Sequence, residues 1–184
     1  MQITGQFIKP LKHTFTTEQI LQTEEFLDFY KAALDFCDFI ENYQNKRKVD
    51  YLHTVRQNLL KLYNTALKLQ WVDLQSNVEY DDKLDDKEFN NILSRIVEGV
   101  DNARYYWYIF DPTCNKDHEA VCGDLVDDLG DIYKDLKYSI MIFNLGDVDC
   151  KENALWQFKF DFDKHWGGHC INALSAIHFY LEKE

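Results

Sequence analysis

Apolar residues recur at three- and four-residue intervals through most of this chain, a spacing that predicts amphipathic α-helices. The first predicted helix covers residues 16–43 and begins at a threonine whose side chain can accept hydrogen bonds from free amide groups. The second covers about 49–72 and the third about 87–110, because proline in Asp111-Pro112 disfavours helical geometry in the residue before it. Long helices separated by shorter connections are therefore expected.

Two further helices complete the predicted fold. The fourth covers about 120–144, and the fifth begins after Asp149, which has capping-box spacing with Glu152. The fifth continues to the C-terminus, and a bend at Gly167-Gly168 is left open. The predicted fold class is all-α: an up-and-down bundle of five helices, or of six if the glycine pair breaks the last one.

One segment of the fifth helix carries a conflicting signal. Residues 156–162, WQFKFDF, alternate apolar and polar side chains as an exposed strand does. The same residues form i,i+4 pairs on a helix, Trp156 with Phe160 and Phe158 with Phe162. An unpaired strand leaves its backbone polar groups unsatisfied, and no other segment offers a convincing partner, so we predict helix.

Residues 1–184 are predicted to form a single domain, since this length can bury a substantial core. Residues 1–15 are expected to be an N-terminal arm. Residues 73–88, DLQSNVEYDDKLDDKE, lack helical periodicity and carry seven acids against two lysines. We therefore expect an exposed acidic loop between the second and third helices.

Charge and cysteine usage exclude several classes of partner. The formal net charge is −12, and no Lys/Arg face of useful size is available to bind nucleic acid or an anionic membrane surface. No run of apolar residues approaches the ~20 that a membrane span needs. Five cysteines without a pairing pattern predict a reduced, cytoplasmic protein. An unidentified protein partner is compatible with this composition, and a leftover apolar face would allow a homodimer.

The fourth predicted helix carries two stripes of side chains. The core-facing stripe is apolar: Leu125, Leu129, Ile132, Leu136 and Ile140. The other stripe is acidic at three- and four-residue spacing: Asp124, Asp128, Asp131 and Asp135. Like charges at this spacing repel by about 0.2–0.5 kcal/mol per pair, although an acidic outer face is common in proteins of this kind.

Two histidines are expected to face this acidic stripe. Residues 145–149 are a short connection, so the fourth and fifth helices should be antiparallel neighbours, which places His165 and His169 beside Asp128 and Asp124. Imidazole and carboxylate groups suit zinc, iron or manganese, so these four residues are candidate metal ligands. A metal-free histidine–aspartate network and four unconnected surface residues are the two alternatives.

The adjacent glycines need an explanation of their own. Each glycine inside a helix costs ~1 kcal/mol relative to alanine. Close packing, a kink or backbone access for a ligand could each offset that loss. We favour packing, since Trp166 and the aromatic run at 105–110, YYWYIF, need dense surroundings.

Three segments in this order carry a family resemblance: FDP at 110–112, VCGDLVDDLGDIYKDLK at 121–137, and ALWQFKFDFDKHWGGHCINALSAIH at 154–178. In combination they resemble the bacterial family known as domain of unknown function 5063. The resemblance implies a small all-helical cytoplasmic protein. It brings no activity, substrate or ligand with it.

Two functions are therefore open at this point. The leading hypothesis is a non-catalytic interaction or regulatory module, without a cofactor, that presents its acidic face and residues 73–88 to a protein partner. The alternative is a metal- or small-ligand-binding protein, such as a hydrolase or oxidoreductase. It would hold a divalent transition metal through His165, His169, Asp124 and Asp128.

Overall fold

A computed structural model describes residues 15–43, 48–76, 80, 84–110, 112–114 and 119–183. These residues form seven α-helices and one two-stranded antiparallel sheet. The elements are α1 (Thr17–Leu21), α2 (Glu24–Asn42), α3 (Lys48–Ala66), α4 (Asp86–Val100), β1 (Tyr105–Ile109), β2 (Ala120–Asp124), α5 (Leu125–Leu145), α6 (Val148–Asp161) and α7 (Gly167–Leu181). A 3₁₀ turn (Asp101–Ala103) follows α4, and a π-helical turn (Phe162–Trp166) joins α6 to α7. The predicted all-α fold is confirmed, with a two-stranded sheet that the sequence did not predict and with the helical segments divided more often than expected.

Helix α5 lies at the centre of the bundle, where it contacts α2, α4, α6 and α7. The predicted apolar stripe of α5 is buried along its whole length: Leu125, Leu129, Ile132, Leu136 and Ile140. Tyr133 is also fully buried, and its hydroxyl donates a hydrogen bond to Glu41 of α2 at 2.9 Å. None of the helices in the described part of the chain combines the length and hydrophobicity that a bilayer crossing requires.

The first predicted helix is divided into two in the structure. Thr16 caps α1 through a capping box with Gln19. Thr23 then begins α2, because its hydroxyl accepts a hydrogen bond from the Phe26 amide at 3.2 Å. The same hydroxyl donates to the carbonyl of Ile20 at 2.7 Å, which holds the end of α1 against the start of α2.

The chain between α3 and α4 is partly tied to the bundle. Helix α3 ends at Ala66 rather than at residue 72, and Val72 instead forms an isolated parallel bridge with Phe15. The Glu152 carboxylate of α6 accepts hydrogen bonds from the amides of Gln75 and Ser76. The start of the predicted acidic loop is therefore held by α6. Its residues 77–79 and 81–83 lie outside the described part of the chain, as does the predicted arm up to residue 14.

The prediction that the third helix continues to residue 110 is wrong. Helix α4 ends at Val100, and Asp101 adopts a φ of 45°, which is incompatible with continuing the helix. The aromatic residues that follow form β1, which pairs with β2 from Tyr105 opposite Asp124 to Ile109 opposite Ala120. Aromatic side chains favour strands, and β2 displaces the predicted start of the fourth helix to Leu125.

The structure confirms helix for most of WQFKFDF and corrects its starting cap. Residues 156–161 belong to α6, with the Trp156 and Phe160 rings stacked at 4.6 Å. The capping box predicted at Asp149 is wrong, because Asp147 caps α6 by accepting a hydrogen bond from the Cys150 amide at 2.7 Å.

The two adjacent glycines have different environments. The helix continues through both glycines, and the irregularity in this segment is the π-helical turn directly before them. A Cβ atom on Gly167 would overlap the Phe162 carbonyl oxygen and press on the Phe162 ring, whereas a Cβ on Gly168 would meet nothing within 4 Å. Close packing thus explains Gly167, against Phe162 rather than the aromatic run, and does not explain Gly168.

This difference predicts opposite effects on stability when each of the two adjacent glycines is replaced by alanine. Gly168→Ala should raise the free energy of unfolding by about 0.5–1 kcal/mol, because alanine restricts the unfolded chain and fits the open helical position. Gly167→Ala should lower it by about 1–3 kcal/mol, because the new methyl group has no room. Urea denaturation of both variants measures the two effects, and equal changes would contradict the packing argument.

Candidate functional site

Two imidazole rings lie in the groove between α5 and the C-terminal helical segment. His165 belongs to the π-helical turn, and His169 lies in the first turn of α7. Their ring centroids are 4.9 Å apart and the ring planes are inclined at 74°. Both rings face the acidic stripe of α5, as the antiparallel pairing predicted.

Each imidazole is held through its Nδ1 atom by a different aspartate. His169 Nδ1 lies 2.8 Å from Asp128 Oδ1, and His165 Nδ1 lies 2.6 Å from Asp135 Oδ2. An ionised carboxylate can only accept a hydrogen bond, so Nδ1 is the donor in both contacts. In a neutral imidazole this leaves Nε2 without a proton and with its lone pair available.

The two Nε2 atoms converge on one oxygen of a third aspartate. Asp131 Oδ2 lies 3.6 Å from His169 Nε2 and 3.9 Å from His165 Nε2. One potential ligand atom from each of these residues lies within 4.8 Å of the other two. With both imidazoles neutral, three electron-pair donors face one another, and this arrangement favours a proton or a metal ion among them.

The electrostatic environment of the groove also favours positive charge. The pKa of His169 is raised, mainly because its hydrogen bond to Asp128 stabilises the imidazolium, with Asp131 adding attraction. Burial raises the pKa of the Asp135 carboxyl, although the hydrogen bond with His165 acts in the opposite direction. A metal ion would therefore enter a groove rich in carboxylates by displacing a proton.

The β-hairpin supports the site from outside the helical groove. Asp128 Oδ2, the oxygen not used by His169, accepts a hydrogen bond from the Tyr106 hydroxyl at 2.5 Å. Tyr106 pairs with Gly123 across the hairpin, and a Cβ on Gly123 would overlap the Tyr106 ring. Glycine at this position lets the ring cross the neighbouring strand and reach α5. The sequence analysis did not identify Tyr106 as a site residue. Its position in the aromatic run at 105–110 was the one feature that could have indicated it, and that run was predicted to be helical.

Asp124, one of the four predicted site residues, has a different role. Its carboxylate pairs with Arg104, with Oδ2 lying 2.7 Å from Nη2. Its Oδ1 atom also accepts a hydrogen bond from the Val126 amide at 2.9 Å, and Asp124 thereby caps α5. The structure brings together His165, His169 and Asp128 of the predicted set and adds Asp131 and Asp135. The π-helical turn contributes to this shift along α5, because ideal α-helical register does not carry across it.

Comparison with known proteins identifies the family and the fold. The family model for a domain of unknown function, DUF5063, matches residues 21–183. The crystal structure of protein BF1032 from Bacteroides fragilis superimposes with a TM-score of 0.74, covering 89% of this chain and 99% of that chain at 20% sequence identity. At this identity the similarity shows a shared fold alone, and no curated protein matches the sequence. Because the family match extends over every helix from α2 to α7, the chain belongs to the DUF5063 family.

Proposed function

We propose that this protein binds a divalent transition-metal ion through His165 Nε2, His169 Nε2 and a carboxylate oxygen of Asp131. One observation carries the proposal: two separate aspartates hold the Nδ1 atoms, so both Nε2 lone pairs turn toward the same Asp131 oxygen. Two imidazoles and one carboxylate suit zinc, iron or manganese. In this ligand set Asp131 takes the place predicted for Asp124 and Asp128.

Both imidazoles lie close to the distance from Asp131 that a shared ion would require, and all three ligand atoms lie within 4.8 Å of one another. Ligand atoms around a tetrahedral zinc ion with bonds of about 2.0 Å lie roughly 3.3 Å apart. The Nε2–Oδ2 distances of 3.6 Å for His169 and 3.9 Å for His165 are slightly longer. The His165 side chain is 47% exposed and can move by this amount without disturbing the core.

The aspartates behind the rings match the usual support of metal-binding histidines. A ligating histidine commonly donates its other ring N–H to a carboxylate, which fixes the tautomer and strengthens the ligand. Asp128 and Asp135 occupy this position for His169 and His165. The Asp128 side chain is itself 6% exposed and accepts hydrogen bonds from both Tyr106 and His169, so the His169 ring is already oriented without a metal.

Three protein ligands leave at least one coordination position for water or a small molecule. Catalytic zinc sites and two-histidine, one-carboxylate iron sites share this property, whereas structural zinc sites are closed by four protein ligands. The exposure of His165 puts the open side toward solvent. Metal binding with an accessible coordination position is the function that this geometry supports best.

The interaction-module hypothesis receives less support from the same residues. Asp128, Asp131 and Asp135 face the two histidines, so much of the acidic stripe is engaged within the molecule. The start of the 73–88 segment is bonded to Glu152 of α6, and residues 77–79 and 81–83 lie outside the described part of the chain. A partner protein for this face stays a prediction.

The first test measures metal binding directly. Protein purified without an affinity tag and stripped of metal with a chelator should bind about one Zn²⁺ or Co²⁺ ion per chain. Isothermal titration calorimetry measures binding of either ion, and the visible absorption of bound Co²⁺ measures it independently. His169→Ala should weaken binding at least about 100-fold, because it removes a ligand. His178→Ala is the matched control: His178 also lies on α7, is exposed, and packs its ring against Phe179, so this variant should bind the ion with unchanged affinity.

Two results would contradict the metal proposal. One is the absence of saturable binding by the intact chain with either ion. The other is equal affinity in the intact chain and in His169→Ala, which would place any bound metal elsewhere.

The second test uses the supporting carboxylate. Asp128→Asn should weaken Zn²⁺ binding by about 10–100-fold, because the amide holds the His169 ring less well in the metal-binding tautomer. Asp127→Asn removes the same charge from the neighbouring exposed position, where the carboxylate attracts the His169 imidazolium through space, so it should weaken binding several-fold less than Asp128→Asn. Equal losses in the two variants would show that charge alone matters.

The third test is the pH dependence of binding. The raised pKa of His169 means that its imidazolium persists to higher pH than usual, and the metal must displace that proton. The Zn²⁺ affinity should therefore fall as pH decreases from about 8 to about 6, with proton release detected by titration in buffers of different ionisation enthalpy. A constant affinity across this range would exclude imidazole ligands.

A further inference from the structure

The edge of β1 that faces away from β2 carries backbone groups that the hairpin does not use. The Leu125 amide donates a hydrogen bond to the Arg104 carbonyl at 2.8 Å, directly beside the paired strands. Every second residue of an antiparallel strand bonds the neighbouring strand, so this contact assigns the backbone groups of Tyr106 and Tyr108 to β2. The backbone groups of the intervening residues therefore point to the opposite edge.

Three residues supply that edge: Tyr105, Trp107 and Ile109. The sheet has two strands, and within the part of the chain that the structure describes no group bonds the N–H or C=O groups on this side. The three side chains are also open to water, at 64%, 73% and 41% exposure respectively. A row of unpaired donors and acceptors along a strand is a template for another strand.

β1 lacks the features by which proteins usually protect a sheet edge. Its sequence, YYWYI, contains no charged residue, proline or glycine, and its pairing with β2 is continuous without a bulge. Aromatic and β-branched residues favour extended backbone. The edge is therefore held in a conformation that can accept a further strand.

The unpaired edge opens into a cleft of about 350 Å³ between β1 and α7. Side chains from both faces of β1 line this cleft and no described residue of β2 does, so the cleft follows the edge of the strand. The α7 wall includes three short side chains, Asn172, Ser175 and Ala176, which leave space beside the edge. From Asn172 to Tyr180 this wall rises about 12 Å, the length of about four extended residues.

The edge specifies the chemical class of its occupant. N–H and C=O groups alternate along it, and their partial charges are complementary to a second extended peptide backbone, which repeats the same groups at the same spacing. No described residue that lines the cleft is an aspartate or glutamate. The chain as a whole carries a formal charge of −12, so charge complementarity also favours basic residues at the ends of an incoming segment.

We propose that β1 binds a partner protein by β-strand addition, in which one extended, proline-free segment of the partner pairs with Tyr105, Trp107 and Ile109 in the cleft. β-Branched or aromatic side chains of the segment pack beside the exposed rings of β1, and basic residues flank it. This interaction is independent of the metal proposal, because none of the three proposed metal ligands lines the cleft.

The test uses metal-free protein and three synthetic peptides with blocked ends. The first is KTVTVTK, which places β-branched residues between basic ends. The second has the same sequence with every interior amide N-methylated, which keeps the side chains and removes the backbone donors. The third is ETVTVTE, in which the end charges are reversed. We expect the first peptide to bind at least about tenfold more tightly than the second and several-fold more tightly than the third.

Amide hydrogen exchange followed by nuclear magnetic resonance identifies the edge that is used. Saturating KTVTVTK should slow exchange of the Tyr105, Trp107 and Ile109 amides at least about fivefold, because these amides gain acceptors. The Tyr106 and Tyr108 amides already bond β2 and should change by less than about twofold. Binding that covers the rings without adding a strand would not produce this alternation.

Two proline variants provide a matched comparison of the two edges of the hairpin. Trp107→Pro removes a donor from the proposed edge, and Cys122→Pro removes one from the outer edge of β2, directly opposite. Neither N–H belongs to the ladder between the strands, so both variants should keep the hairpin. Peptide affinity should fall at least about tenfold in Trp107→Pro and persist in Cys122→Pro. Trp107→Ala keeps the N–H group and should retain more affinity than Trp107→Pro.

Several outcomes would overturn the inference. They are the absence of saturable binding of KTVTVTK, equal affinity for the N-methylated peptide, protection without alternation along β1, and equal losses in the two proline variants. Protection that appears with rising protein concentration and no peptide would assign the edge to a second copy of the chain instead. Ala176→Leu serves as a further variant if Trp107→Pro disrupts the hairpin, because it narrows the cleft from the α7 side and leaves β1 unchanged. Undiminished binding in Ala176→Leu would equally overturn the inference.

Discussion

The antiparallel packing of α5 against α6 and α7 is the constraint on which the rest of the structure depends. Gly146, with a φ of 93°, ends α5, and Asp147 caps α6 directly afterwards, so the chain reverses within two residues. Because the connection is this short, α5 and the following helical segment pack side by side as antiparallel neighbours. The acidic stripe of α5 must then face whatever the later part of that segment presents.

Two irregular elements decide which groups meet in that groove. The π-helical turn brings His165 and His169 to the aspartates of α5 and requires glycine at position 167, where Phe162 leaves no space for a side chain. The hairpin delivers Tyr106 to Asp128 from the opposite side. Irregular helical turns recur at functional sites because they aim side chains in directions that an ideal helix cannot.

The resulting chain of contacts runs from Tyr106 through Asp128 to His169 and then to Asp131. The Asp128 side chain in this series is 6% exposed, whereas the His165 side chain, which also faces Asp131, is 47% exposed and open to solvent.

The sequence by itself determined the helical character of most of the chain, the apolar stripe of α5 and the antiparallel pairing of α5 with the helical segment that follows it. These features follow from local periodicity and loop length, which neighbouring residues specify. The hairpin was not predictable, because β1 and β2 contain no strand pattern that identifies the other as partner. The choice among four evenly spaced aspartates was equally undetermined: local spacing cannot distinguish Asp124 from Asp131. Only the tertiary structure decided it, since the π-helical turn changes the register and Arg104 draws Asp124 away.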